Sequence, residues 1–245
     1  MTQIIYAMIP ARVGSTRLKL KNLSLIAGKP LIEYAIDAAK DSQVFDRVVI
    51  NGDHRIFEKI SERCCVDFYQ RRGSLGSSQT KSDEVVFDFF QNHPEADILA
   101  WVNTIAPFQT SGEIREATNF FVNKELDSLI TVEEKKVHAN FRNEPINYSP
   151  NEVFSQTQDL LPVNIFTYSL MMWRRETFIS QYLKNGFALF SGKFATFKIS
   201  RLTGHIIKDE LDLAMANAMM KMLKLNNPVH YDPLVEEYEK AGHFF

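Results

Sequence analysis

Residues 4–32 read IIYAMIPARVGSTRLKLKNLSLIAGKPLI, and this stretch decides the fold. Ile4 to Ile9 is an unbroken apolar run, the pattern of a strand buried on both faces, and Pro10 is expected to stop it. Gly14 and Ser15 then let the backbone turn so that its N–H groups can face an anion. Arg12, Arg17, Lys19 and Lys21 place four cationic side chains within ten residues. That is about the positive charge a triphosphate needs. A basic loop taken alone is most often solvated surface. Here it follows the first strand directly, and open α/β sheets bind ligands at the carboxyl ends of their strands. The segment is therefore read as a phosphate cradle. It is neither a P-loop nor a dinucleotide fingerprint, since G-x-x-x-x-G-K-[ST] and G-x-G-x-x-G are both absent.

Outward from this loop, strand and helix signals alternate. The pattern predicts a helix at 30–40, strand 47–51, helix 54–62, strand 66–69, helix 82–92, strand 97–102, helix 111–122 and strand 127–131. Ser111-Gly112-Glu113 and Thr80-x-x-Asp83 mark helix starts, and His93-Pro94 marks a stop. Alternation of this kind gives the α/β class, a mostly parallel sheet with helices on both faces. From 133 to 162 the sequence loosens into polar, turn-rich residues, read as an inserted arm because structureless loops of that length are uncommon unless functional. Strands return at 165–173 and 195–199, and a helix runs from 210 to about 225. Its methionines, Met215, Met219, Met220 and Met222, read as core packing. The 245 residues, 1–245, are taken as a single domain.

A formal net charge of -2 argues against nucleic acid as the main partner, since a phosphate-backbone binder normally shows a broad basic surface. Cys64 and Cys65 are adjacent, so they neither bridge one another readily nor have metal spacing; they read as reduced, packed thiols. No charged segment precedes an apolar leader, and no run approaches the roughly 20 apolar residues that cross a bilayer. The expected location is the cytoplasm, with no membrane contact. Of the phenylalanine doublets, Phe89-Phe90 and Phe120-Phe121 read as core, and Phe244-Phe245 as core or subunit contact.

With P-A-R-V-G-S-T-R at 10–17, K-N at 21–22 and G-K-P-L-I-E-Y at 28–34, the opening segment resembles the cytidylyltransferases that make CMP-activated acidic sugars. These are the CMP-sialic acid synthetases (CMP-N-acylneuraminate synthetases) and, more distantly, the CMP-KDO synthetases. The resemblance continues through FDRVVINGD (45–53), FYQRRGSLGSSQTKSDEVV (68–86), WVNTIAPFQ (101–109), DSLITV (127–132), TQDL (157–160) and IKDELDLAMA (207–216). It implies a three-layer, Rossmann-like fold of the nucleotide-diphospho-sugar-transferase type. It also implies that the arm at 133–162 is a dimerisation element reaching over the active site of a second copy, so that the chain is a homodimer.

The reaction implied is attack by the anomeric hydroxyl of an acidic 2-keto sugar, a sialic-acid-like nonulosonate, on the α-phosphorus of CTP, releasing pyrophosphate. Alignment and charge neutralisation catalyse such transfers, so cations, backbone donors and Mg2+ are expected rather than a nucleophilic triad. By resemblance Arg12 and Lys21 hold the β- and γ-phosphates, Asn22 meets sugar or phosphate oxygens, the Gly14-Ser15 backbone lines the loop, and Arg17 is a further candidate. Arg71, Ser82 and Asn103 fall at base-reading positions. Asn103 stands where the family has Gln in Q-P-T-S-P-L-R, and either amide offers a carbonyl acceptor and an N–H donor. Arg72 is read equally as a solvated charge.

For the acceptor, 155–159 resembles the family's R-S-Q segment without its Arg. Gln156 and Gln158 are the candidates, and a partner for the sugar carboxylate is sought in His138, Arg142 or Lys135. The family's I-D-T-x-x-D-L pattern, laid on Asp212-Leu213, puts Lys208 at the aspartate that holds magnesium. Either Lys208 neutralises the phosphates itself as a catalytic cation, or a slip by one residue makes Asp209 the ligand, with Asp212 supporting a metal through water. Asp209 also reads as a helix N-cap, and the favoured assignment is capping for Asp209 and phosphate contact for Lys208. His205 either touches substrate or is simply exposed. Two alternatives stay open: a same-fold nucleotidyltransferase with another base or acceptor, and a nucleotide-binding protein without turnover.

Overall fold

A seven-stranded sheet organises residues 3–77, 79–225 and 228–240, which the computed structural model describes. The first half of the chain builds β1 (Ile5–Ala11), the short hairpin β2 (Leu25–Ile26) and β3 (Lys29–Pro30), α1 (Leu31–Ser42), β4 (Arg47–Gly52), α2 (Ile56–Cys64), β5 (Asp67–Gln70), α3 (Ser82–Asn92) and β6 (Ile98–Val102). There follow α4 (Ser111–Asn123), β7 (Ser128–Lys135), the small hairpin β8 (Asn140–Phe141) and β9 (Glu144–Pro145), β10 (Val163–Arg174), α5 (Arg175–Asn185), β11 (Phe194–Lys198), α6 (Glu210–Met222) and α7 (Pro233–Lys240). The strand order is β11-β7-β10-β6-β1-β4-β5. β10 runs antiparallel to both its neighbours, and every other adjacent pair is parallel.

Alternation along β1 explains the layers. Ile5, Ala7, Ile9 and Ala11 pack on one face with Ile32 and Ile36 of α1, Phe57 of α2, and Ile114 and Phe121 of α4. Tyr6 and Met8 face the other way, into Val86, Phe89 and Phe90 of α3 and Phe178 of α5. The result is three layers, helices on both sides of one sheet. Each fully buried phenylalanine contributes roughly 1.5–3 kcal/mol of hydrophobic stabilisation. Phe120 packs half-buried beside Phe121, as its doublet suggested, whereas Phe244 and Phe245 lie outside the described residues.

Several expectations are corrected. β1 continues through Pro10 to Ala11: its register with β6 covers only Ile5–Met8, so Pro10 has a strand on one side alone, where a missing N–H is tolerated. Thr80 does not cap α3. Asp83 instead accepts the backbone N–H groups of Ala188 and Leu189, fastening α3 to the loop after α5. Helix α4 does start at Ser111 as expected, and Thr110 before it caps it in a capping box with Glu113. The methionine face of α6 is core only in part: Met219 and Met220 pack, partly buried, against the cluster of Leu18, Ile26, Leu31 and Ala216, whereas Met215 and Met222 are exposed. Cys65 is likewise exposed, though neither cysteine is bridged. The arm is less structureless than its sequence suggests, since β7 runs into it and β8 and β9 pair within it. Among the described residues no helix is long and apolar enough to cross a membrane.

Candidate active site

The loops at the carboxyl ends of β1 and β6, together with the start of α3, enclose a cleft of about 260 Å³. Of the residues singled out in the sequence, Arg12, Ser15, Lys21, Asn22, Arg71, Ser82 and Asn103 all line it. A larger hollow of about 780 Å³ opens at the amino ends of the strands, but its one cation, Arg174, is already held by Asp127 and the Leu126 carbonyl. The chemistry therefore collects at the carboxyl ends, as the topology requires.

Asn22 is the hinge pin of the loop. It is 4% exposed, donates from Nδ2 to the Arg12 carbonyl (3.1 Å), and accepts from Thr104 Oγ1 (2.7 Å). The carboxyl ends of β1 and β6 are thereby tied together, so Asn22 is a structural clamp lining the cleft. Asp53, at the end of β4, takes the backbone N–H of Val13 (3.1 Å) and fixes the turn from a second side. Gly14 is exposed and has no positive φ, and a Cβ there would meet only the Gly76 carbonyl at 3.8 Å. Its freedom is not what turns this loop.

Arg71 lines the cleft beside the loop: it is 5% exposed and donates from Nη2 to the Ala11 carbonyl (2.8 Å), next to Arg12 in the chain, while its buried Nε has no partner among the described residues. Burial lowers its pKa, Asp53 opposes that shift, and Arg12 adds to it. The indole Nε1 of Trp101, on the same cleft wall, is also buried and unpartnered. Both residues line the cleft, and each keeps a buried donor that no group among the described residues satisfies. Asn103 is held by its backbone N–H to the Ser169 carbonyl (2.9 Å), and its side chain contributes to the lining.

Lys21 donates to the Ile207 carbonyl (3.2 Å). Burial pushes its ammonium pKa down, Arg17 and Arg12 push it further, and Asp212 pulls the other way. A cluster of cations already repelling one another is a site that an anion relieves. Arg12 reaches across to the Ser77 carbonyl (3.2 Å). Arg17 acts on Lys21 through its charge and lies outside the cleft lining. Arg72, itself exposed, pairs with the buried Asp88 at 3.5 Å.

The Lys208 segment borders this cleft. Ile207 joins it through its N–H to the Ile105 carbonyl (2.9 Å) and through its own carbonyl to Lys21. Lys208 and Asp212 line an adjoining hollow of about 250 Å³ with Lys135, Thr167 and His205. Asp209 caps α6, as its position suggests: Oδ1 accepts from the N–H groups of Leu211 and Asp212. Asp212 returns the bond, its Oδ2 accepting from the N–H groups of Lys208 and Asp209. This reciprocal box fits a helix start. It leaves one oxygen of each carboxylate, Asp209 Oδ2 and Asp212 Oδ1, outside the box, and Asp212 acts on Lys21 through its charge, so a metal could be held here by Asp212 with Asp209 without undoing the cap. His205 is half-buried, with Nε2 against the Asp212 carbonyl (3.0 Å).

The acceptor candidates are elsewhere. His138 stacks on Phe154 in the arm, ring centroids 4.1 Å apart, and Gln158 bonds Gln156 while its carbonyl takes Lys136 Nζ. None of the three lines the cleft. Sequence reasoning missed Trp101, Thr104 and Asp53. Only their placement at the ends of β6 and β4 could have signalled them.

Comparison with known proteins follows the same outline. Residues 6–181 match the family model described as Cytidylyltransferase. The N-acylneuraminate cytidylyltransferase of Streptococcus agalactiae serotype III (strain NEM316) is 24% identical over 182 residues, covering 71% of this chain and 44% of the relative. The post-translational flagellin modification protein B of Campylobacter coli is 24% identical over 228 residues, 89% of this chain and 95% of the relative. Among solved structures, CMP:2-keto-3-deoxy-manno-octonic acid synthetase complexed with CTP superposes with a TM-score of 0.68 at 16% identity, covering 90% of this chain and 100% of that one. That likeness is one of fold. The chain spans under half the length of the N-acylneuraminate cytidylyltransferases it matches.

Proposed function

The chain belongs to the cytidylyltransferase family, and from that premise we propose that it transfers CMP from CTP to the anomeric hydroxyl of an acidic 2-keto sugar, with release of pyrophosphate. One observation carries this reading: the cations Arg12 and Lys21 and a buried arginine, Arg71, whose Nε lacks a partner among the described residues, line a single cleft. The triphosphate lies along Arg12, Lys21 and the Ser15 turn, with Arg17 adding to the field. The pyrimidine edge meets Arg71, Ser82 and Asn103, and Trp101 supplies a further donor. Held so, the α-phosphorus is presented to the acceptor hydroxyl, and the departing pyrophosphate carries its charge into the cation cluster. These residues align the reactants and neutralise charge without forming a covalent intermediate.

The sugar class rests on the relatives' names, and the acceptor contacts on the arm residues His138, Gln156 and Gln158. Because those side chains are remote from their own cleft, the arm serves the cleft of a second copy in a homodimer. The exposed Phe141, Val153, Phe154 and Leu161 are consistent with an arm that is covered. CTP supply places the reaction in the cytoplasm.

The test is pyrophosphate release by purified protein with each of the four nucleoside triphosphates against a panel of acidic 2-keto sugars. Release confined to CTP and dependent on one sugar is expected. Release with a purine triphosphate, or release indifferent to the acceptor, contradicts the reading.

A further inference from the structure

We propose that Ser169, a residue outside the nucleotide cleft, is a positioning residue for base selection: it holds both ends of the loop that carries Asn103. The inference rests on the reading of Asn103 as a base contact and deepens it, by naming what fixes that contact in place.

The ladder between β7 and β10 breaks at one place. Val132 pairs with Phe166 and Ile130 with Met171, so Thr131 alone stands opposite Thr167, Tyr168, Ser169 and Leu170. The extra residues bulge at the carboxyl end of β6, where the pairing of β6 with β10 stops at Val102 and Leu170. Tyr168 has a φ of +56, a left-handed conformation that is unfavourable for a residue with a side chain and persists only where its surroundings fix it. Buried hydroxyls fix it here. Thr131 Oγ1 accepts the Leu170 N–H (3.1 Å) and lies 3.0 Å from the Leu170 carbonyl and 2.9 Å from Ser169 Oγ, while Thr167 Oγ1 donates to the Thr131 carbonyl (3.0 Å). Thr131 and Ser169 are fully enclosed. One threonine side chain thus stands in for the ladder bonds that the bulge removes. Bulges re-aim the groups at the end of a strand, and they recur beside active sites for that reason.

The loop that leaves β6 is fastened to this bulge twice. The Ser169 carbonyl accepts the Asn103 N–H (2.9 Å), and Ser169 Oγ accepts from Gln109 Nε2 (3.3 Å). Between those ends the loop closes on itself, Ala106 N–H to the Asn103 carbonyl (3.5 Å) and Gln109 N–H to the Ala106 carbonyl (3.1 Å). Its middle reaches the rest of the site, through Thr104 to Asn22 and through the Ile105 carbonyl to the Ile207 N–H. Asn103, Thr104 and Ile105 line the nucleotide cleft, whereas Ser169, Gln109 and Thr131 do not. These three act on a ligand only through where they hold the loop. Gln109 is 6% exposed, and its Oε1 is buried without a partner among the described residues. An amide with one end unmet contributes little net stability, so an apolar side chain of similar shape is tolerated there, and replacing Gln109 separates positioning from folding.

The experiment is calorimetric titration of the full chain with CTP and with UTP, together with thermal unfolding, for wild type, Asn103→Ala, Ser169→Ala and Gln109→Met. Wild-type protein is expected to prefer CTP, and Asn103→Ala to lose most of that preference. Ser169→Ala and Gln109→Met are each expected to lower the ratio of CTP to UTP affinity by about fivefold, the size of one lost hydrogen bond, and Gln109→Met to do so with an unfolding midpoint within about 2 °C of wild type. If either variant discriminates between the two nucleotides as wild type does, the proposal is overturned. Equal losses of CTP and UTP affinity overturn it too, because they mark a merely structural role. Should Ser169→Ala fail to fold, Gln109→Met alone decides. A wild type that binds both nucleotides equally, or an Asn103→Ala protein with undiminished preference, overturns the base reading of Asn103 and this proposal with it.

Discussion

Arg71 is the side chain on which the proposed base end of the cleft turns. Its Nε is enclosed without a protein partner, so a ligand that bonds it removes an unmet donor, and Arg71→Met forfeits that gain. CTP affinity is expected to fall by about 10–100-fold, measured by titration, with the thermal unfolding midpoint recorded alongside to separate binding from folding. Lys21 predicts a pH effect. Burial, with Arg17 and Arg12, holds its pKa below the ordinary 10.5, and a bound triphosphate raises it by favouring the charged form. CTP affinity is therefore level below the depressed pKa and declines as pH rises through it, with a proton taken up on binding in that window. Lys21→Arg is expected to lack the decline, and a decline of equal size in that variant contradicts the assignment. The charges at 12, 17 and 21 were legible in the sequence because loop cations cluster there. The clamp made by Asn22 was not, since its two partners, Arg12 and Thr104, meet only after β1 and β6 have paired.

At the scale of the element, helix α6 shows why local signals transmit and others do not. Its start was readable because an N-cap is a contact within four residues, Asp209 to Asp212. Asp209→Ala is expected to cost about 1 kcal/mol, lowering the unfolding midpoint by about 2–4 °C. Its exposed methionines were misread because periodicity reports a face and not what covers it. Helix α5 escaped altogether: it follows β10 without a break and buries only Phe178, so no apolar stripe announces it. The turn that leads into β11 holds a glycine with real steric work. Gly192 has φ +59, and a Cβ there would lie 2.3 Å from Asp127 Oδ2. Gly192→Ala is expected to destabilise the protein by at least about 1 kcal/mol in urea unfolding. An unchanged midpoint contradicts that packing.

For the whole molecule, the parallel sheet was legible because strand and helix periods alternate along the chain, and the one reversal, β10, was not, because direction leaves no mark on hydrophobicity. The arm is the other global feature. Val153, Phe154 and Leu161 are 92%, 78% and 77% exposed, an apolar surface that a second copy is proposed to cover. Phe154→Asp with Leu161→Asp is expected to shift the protein from dimer to monomer in sedimentation velocity, and monomeric wild type contradicts the proposed assembly.

The central claim is transfer of CMP, and it is tested most directly by incubating the protein with CTP labelled at the α-phosphorus and a panel of acidic 2-keto sugars. Label is predicted to appear in a CMP-linked sugar, identified by mass, in an amount equal to the pyrophosphate released. Label that remains in CTP for every sugar, under conditions where CTP is bound, contradicts the claim and leaves a nucleotide-binding protein without turnover.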